Sequence, residues 1–355
     1  MLVRPARRPA RTLVVVSLSA LAVAALTQVP AHAGPPAVPD AQVGTAPTAA
    51  PVAGATATGS GTAADLVTAA TDSVPSKDWV RSLWRKSIAP SLEVPVSWTG
   101  TESPCSAGQE STASRDATLR TINAMRRLVQ LDPVQFDSSA NTRARKAALI
   151  MTANEYLTHN PSPGSTCWSS DGQKAAGQSN LALGVSGPRA IKGYMDDPGI
   201  YNTPVGHRRW ILNPTTTVMA SGSTADANAL TVFGLGDSSS QARPQFLEWP
   251  ARGWFPSQLE PDGRWSLSAS NRYVSFSRAS VSVRPLDDKG RLGTALPVKV
   301  VSRSDVGYGP NTVVFQVDRL AVPQGWNVKK YRVAVSGLSG GSTSSYSYMV
   351  RLFHA

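Results

Sequence analysis

The chain has 355 residues, a formal net charge of +12 at pH 7 and two cysteines. That length has room for two domains and a tail. Its Lys and Arg are scattered, and no basic stripe interleaved with aromatics is present, which argues against nucleic acid as a partner.

The first 33 residues read as a secretory leader. Arg4, Arg7, Arg8 and Arg11 form a basic n-region, residues 12–26 an apolar h-region, and Ala31-His32-Ala33 a small-x-small cleavage site. Pro-Ala-Arg after Arg7-Arg8 is a poor twin-arginine context, so general secretion after cleavage at Ala33 is expected. The h-region is short for a membrane span, and no other stretch is long and apolar enough. The expected product is secreted and extracellular, not an integral membrane protein. Loss of four Arg lowers the charge from +12 to about +8, which favours association with an anionic cell-envelope polymer. Cys105 and Cys167 would meet an oxidising compartment, where an even count suggests one disulfide and two free thiols are the alternative. The bridge would close a loop of about 60 residues, worth about 4 kcal/mol by loop entropy.

Residues 34–100 read as a low-complexity linker. Up to about residue 63 they are rich in Ala, Pro, Thr, Gly and Val, a composition that buries no core. Trp79, Val80, Leu83 and Trp84 lie at helical spacing, so a short amphipathic helix is expected at 77–86, docked on the adjoining domain.

That domain is expected over 101–240. Residues 114–130 read as a helix with Ser114 as N-cap and Leu119, Ile122, Met125 and Val129 on one face. Asp137 or Ser138 can cap a second helix with Ala140, Ala144, Ala147, Ala148, Met151 and Leu157 on its buried side and His159 at its C-terminal end. A short helix over 188–195 ends at Asp196-Asp197-Pro198-Gly199. Residues 217–222 and 229–234 look like strands. Helices followed by strands within about 125 residues suggest layered helices and sheet, an α+β class.

The histidines draw attention within this frame. His207 stands in Gly206-His207-Arg208-Arg209-Trp210 and His159 in Leu157-Thr158-His159-Asn160-Pro161. They either face each other across a cleft or are separately solvated or hydrogen-bonded.

Residues from about 105 to 236 resemble a CAP domain, the superfamily of cysteine-rich secretory proteins, antigen 5 and pathogenesis-related class 1 proteins. The matching pieces are Ile122-Asn123 with Arg126, the Ala-rich second helix with His159, Ser179-Asn180-Leu181-Ala182, Tyr194 through Asp197, Gly206-His207-Arg208, and Met219-Ala220-Ser221-Gly222. The resemblance is to the bacterial branch. It implies an α-β-α sandwich with a large cleft holding two His and two acids. His159 and His207 match the family histidines. Ser179 stands where the family's Gly-Glu-Asn motif has its Glu, with Asn180 beside it, and Asp197, or else Asp196, takes the second acidic position.

Two His and one Asp could just meet the three protein ligands of a catalytic zinc, so His159, His207 and Asp197 are candidate metal ligands. The missing Glu implies a weakly bound divalent metal at most, or none. Ser179 is either a nucleophile served by His and Asp or a hydrogen-bonding replacement for Glu; no Gly-x-Ser-x-Gly elbow surrounds it.

Residues 245–355 read as an all-β domain. Residues 281–283, 298–301, 312–315, 331–335 and 346–352 alternate apolar and polar side chains between turn signals, as in an antiparallel, immunoglobulin-like sandwich. Trp249, Trp254, Phe255 and Trp265 at its start suggest either a sugar-stacking platform or packing between domains. The functional expectation is a non-enzymatic secreted protein whose cleft binds a lipid or small hydrophobic ligand. The alternative is a metal-assisted, peptidase-like hydrolase using His159, Asp197 and His207.

Overall fold

The computed structural model describes residues 74–237, 243–305 and 309–355. The expected leader and most of the expected linker lie outside the described residues.

The described chain begins as a helical rod. Ser76 accepts from the Trp79 amide and starts α1, Lys77–Leu83, which runs through a π turn at Trp84–Ile88 into α2, Ala89–Leu92. The rod therefore extends beyond the expected 77–86. The wider turn lies one turn before Pro90, which brings no N–H to the ladder.

Helix α3, Thr112–Leu128, starts two residues earlier than expected because Ser111, not Ser114, caps it. Ser114 is buried, and its hydroxyl donates to Glu110 at 2.6 Å. The Glu110 carboxylate also accepts from the Ser223 amide, tying the helix start to the sheet. Strand β1, Gln135–Phe136, leads to Asp137, which caps α4, Ser138–Asn154, through the Ala140 amide. Then follow α5, Ser170–Gly177, β2, Ser179–Leu183, α6, Gly187–Asp196, α7, Gly206–Ile211, β3, Val218–Ser223, and β4, Ala227–Thr231.

These strands form one sheet in the order β1-β3-β4-β2. Helices α4 and α5 pack on one side, with the alanines Ala144, Ala147, Ala148, Ala175 and Ala176 buried together against Leu181 and Ala229. An added Cβ at Gly222 would collide with the backbone of Ala144 and Arg145, so β3 and α4 approach as closely as glycine permits. Helices α3 and α6 pack together and contribute Ile122, Met125, Ile191 and Met195 to a second core, with Met219 and Leu230 from the sheet. The layers are helix, sheet, helix, as expected. The Cys105–Cys167 disulfide is formed.

The remainder is a two-sheet sandwich. One sheet has the order β5-β7-β10-β9, from Phe246–Trp249, Arg264–Ala269, Thr312–Val317 and Val298–Ser304. The other has the order β6-β12-β11-β8, from Gly253–Pro256, Ser345–Phe353, Val328–Ser336 and Ser280–Leu286, with β6 parallel to β12. Rings cross between the sheets: Trp249 meets Phe255 edge-on at 5.0 Å and Trp265 meets Tyr331 at 5.9 Å. Trp249, Phe255 and Trp265 are thus sandwich core, and the sugar-stacking platform is not formed by them. Trp254 lies on the outer side, beneath the Lys77 ammonium of α1 and against Phe353.

One apolar cluster runs from α3 and α6 into the sandwich. Polar bolts reinforce the joint. Arg208 is fully buried and donates to the carbonyls of Met195, Asp196 and Arg264 and to the Ser266 hydroxyl, at 2.6–3.1 Å.

Candidate functional site

The centre of the site is His207 on α7. The chain reaches it through two left-handed residues, Asp197 with φ 49° and Val205 with φ 45°. Such conformations cost side-chain-bearing residues roughly 1–3 kcal/mol and persist only when surroundings over-determine them. For Asp197 those surroundings are explicit. Its fully buried carboxylate places one oxygen 2.8 Å from His207 Nδ1. The other accepts from the amides of His207 and Arg208, at 3.0 and 3.4 Å. This contact orients the imidazole through Nδ1 and leaves Nε2 outside the pair. The Tyr194 ring of α6 stacks on the imidazole at 5.3 Å. Burial pushes the Tyr194 hydroxyl pKa well above its ordinary value, so it stays protonated. That hydroxyl lies 3.0–3.1 Å from the Asn180 and Asn228 carbonyls and Asn228 Oδ1.

Asn180 joins the site through its amide, which donates to the His207 carbonyl at 3.1 Å. Ser179 does not. It is buried at the start of β2, its hydroxyl donating to the Ala175 carbonyl at 2.6 Å with Thr231 Oγ1 at 3.0 Å. Among the described residues the Ser179 hydroxyl bonds to a carbonyl and a hydroxyl and to no basic side chain. Asp196 is also outside; it pairs with Lys192 at 2.5 Å.

His159 departs from expectation. Helix α4 ends at Asn154 because Glu155 turns left-handed, so His159 lies five residues past the helix, not at its terminus. Leu157, expected on the buried side, is 49% exposed. His159 Nδ1 lies 3.0 Å from the Ala176 carbonyl, in the last turn of α5. The two histidines thus attach at Ala176 and Asn180, on either side of the start of edge strand β2. Among the described residues no hydrogen bond or ring contact joins His159 to His207 or Asp197.

This geometry does not suit a metal. Both Asp197 oxygens face His207 and the α7 amides, so Asp197 orients an imidazole and offers no ligand. Among the described residues, no three His, Cys, Asp or Glu side chains converge closely enough to share an ion. One nitrogen from each histidine falls short of the three protein ligands of a catalytic zinc, and the residues as placed do not fit one.

The segments that carry the histidines expose several large apolar side chains. Ile200 and Tyr201, in the segment between Asp197 and His207, are 76% and 91% exposed, and Tyr156 and Leu157 are exposed beside His159. Two concavities lie elsewhere. One of about 350 Å³ is lined by Leu83, Leu119 and Arg120, and one of about 750 Å³ by Trp79, Arg127 and Leu131, both along α3.

Sequence reasoning named His207, Asp197 and Asn180 but missed two contributors. Tyr194 enters the sequence reading only as part of the Tyr194-to-Asp197 match, and Arg264 does not enter it. Arg264 sits on β7 and donates to the carbonyls of Asp197 and Gly199, both at 2.8 Å. No sequence signal links positions 67 residues apart.

A family model described as "Cysteine-rich secretory protein family" matches residues 119–233. That span contains His159, Ser179, Asn180, Tyr194, Asp197 and His207. Neither a curated protein nor a solved structure matches the chain.

Proposed function

With residues 119–233 forming a CAP domain of the cysteine-rich secretory protein family, we propose that this chain is a secreted binding protein without catalytic activity, built from that domain and a β-sandwich divided near residue 240. Its ligand is a small hydrophobic or lipid-like molecule seated at the start of β2 between His159 and His207. The observation supporting the reading is that, among the described residues, every candidate catalytic group except the histidine Nε2 atoms is already engaged. Asp197 holds His207 and two amides, and the Ser179 hydroxyl is buried against Ala175 and Thr231. His207 Nε2 lies outside those bonds, on a side chain about a quarter exposed, and the segment leading to His207 carries the exposed Ile200 and Tyr201. Exposed apolar side chains in the same segment as one hydrogen-bonding imidazole suit a ligand with a hydrocarbon body and a polar head.

The test is equilibrium binding of a dansyl-labelled fatty acid to wild type and to the double variant Ile200→Ser, Tyr201→Ser. Burial of one such side chain contributes about 1.5–3 kcal/mol, so the variant should bind at least ~10-fold more weakly. Unchanged affinity contradicts the reading. Zinc-dependent peptide hydrolysis lost in His207→Ala would establish the hydrolase instead.

A further inference from the structure

One end of the sandwich carries a second exposed feature, independent of the histidine site. Strand pairing places the segments after β8 and before β11 together, since Leu286 faces Lys330 and Val328 faces Phe353. These two loops, residues 287–297 and 318–327, present Trp326, 92% exposed, with Val322 and Leu292 also exposed.

The Trp326 loop is not a loose tip. The hydroxyl of Tyr331, a core residue of β11, donates to the Ala321 carbonyl at 2.7 Å and accepts from the Ala321 amide at 3.0 Å. Pro323 is buried and Leu320 packs against the core. The backbone is thus clamped while the largest apolar side chain of the loop is held in solvent. Exposing an indole on an anchored loop, with Val322 and Leu292 exposed in the same pair of loops, forgoes the burial it could have gained.

The charge around it is mostly positive. Asp287 is paired with Arg291 at 2.7 Å and Asp288 with Lys330 at 3.6 Å. In these loops and the start of β11 that leaves Lys289, Arg319 and Lys329, all exposed, against Asp318 alone. Tryptophan prefers the depth of lipid headgroups, and lysine and arginine beside it are attracted to anionic headgroups. A soluble polyanion would engage the cations and leave the indole without a use.

From the clamped loop, its exposed tryptophan and the surrounding unpaired cations, we infer that this end of the sandwich is a docking surface for an anionic lipid bilayer, with Trp326 entering the headgroup layer. The contact is reversible and peripheral, since one indole and a few cations bind far more weakly than a spanning helix.

The test is co-sedimentation of the processed chain, from Gly34, with phosphatidylcholine vesicles with and without about 30% phosphatidylglycerol. Wild type should partition at least ~10-fold more strongly onto the anionic vesicles, and the preference should fade at high salt. Trp326→Ala should lose ~10-fold of that binding and Trp326→Phe should restore most of it. The double variant Lys289→Glu, Lys329→Glu should abolish the preference for anionic vesicles. All three variants should melt with wild type, because the side chains are exposed. Absence of binding to anionic vesicles overturns the inference. So does binding unaffected by Trp326→Ala, or binding confined to soluble polyphosphate, either of which would assign the patch to a polyanion.

Discussion

The guanidinium of Arg264 donates to the main-chain carbonyl of Asp197 at 2.8 Å, so a strand of the sandwich holds the residue that orients His207 in the CAP domain. The same nitrogen reaches the Gly199 carbonyl. Asp197 is therefore fixed from two directions, its carbonyl by Arg264 and its carboxylate by His207 and the α7 amides. Replacing Arg264 with Met removes the first hold. Amide hydrogen exchange at His207 and Arg208 should then accelerate at least ~10-fold while strands β10 and β11 keep their protection. Unchanged exchange at those two amides would show that the sandwich does not position the site.

Arg208 bolts the halves together. Its guanidinium is wholly buried, and burial lowers its pKa to about 10, with Asp197 and Asp196 opposing the shift. Arg208→Ala leaves three carbonyls and a hydroxyl without their donor, and hydrogen bonds to charged groups contribute about 1.5–3 kcal/mol each. The expected loss in denaturant unfolding exceeds ~3 kcal/mol. A loss under about 1 kcal/mol would mean that water enters and replaces the guanidinium.

Cys105 and Cys167 close a loop with a sequence separation of 62. Replacing both with Ser should cost about 4 kcal/mol, nearly all through the unfolded chain. Loss of less than about 1 kcal/mol would indicate an unfolded state already compact in this region.

Several buried carboxyls make stability depend on pH in one direction. Burial raises the pKa of Glu248 from its ordinary 4.5, with the Tyr346 hydrogen bond and Arg252 opposing it. Glu110, Glu260 and Asp196 are raised for the same leading cause. The folded protein holds these protons more tightly than the unfolded chain. Their contribution is fully present below the unfolded values and is lost as pH rises through the raised folded values. Glu248→Gln keeps an acceptor for Tyr346 and never ionises. Its melting temperature should match wild type below about pH 4.5 and exceed it at neutral pH, by ~2–4 °C for each kcal/mol recovered. A variant less stable than wild type at neutral pH would contradict this sign.

The legibility of the chain followed the physics of burial. Strands β8, β11 and β12 announced themselves because one face is buried and the other solvated, which writes alternation into the sequence. Strand β5 is buried along its whole length, so Phe246–Trp249 carries no alternation; β7 alternates as Arg264-Trp265-Ser266-Leu267-Ser268-Ala269 yet buries its serines as well, so its pattern does not mark a solvated face. The α3 start slipped because Ser111 and Ser114 are both competent caps, and the choice is made by Glu110, which takes the Ser114 hydroxyl. His207 and Asp197 were legible through the family resemblance. Their mutual hydrogen bond, the Tyr194 stack and the Arg264 hold depend on packing between distant segments. His159 was misplaced because the Ala-rich periodicity of α4 gave no warning that Glu155 would turn left-handed.

The central claim is that a hydrophobic ligand sits between His159 and His207. A diazirine-bearing fatty acid, photolysed on the folded protein and mapped by peptide mass spectrometry, tests it most directly. The account predicts crosslinks within residues 155–160 and 197–207, competed by unlabelled fatty acid and reduced in Ile200→Ser, Tyr201→Ser. Competed crosslinks confined to the concavities along α3, at Leu83, Leu119 or Leu131, with none near either histidine, would contradict it.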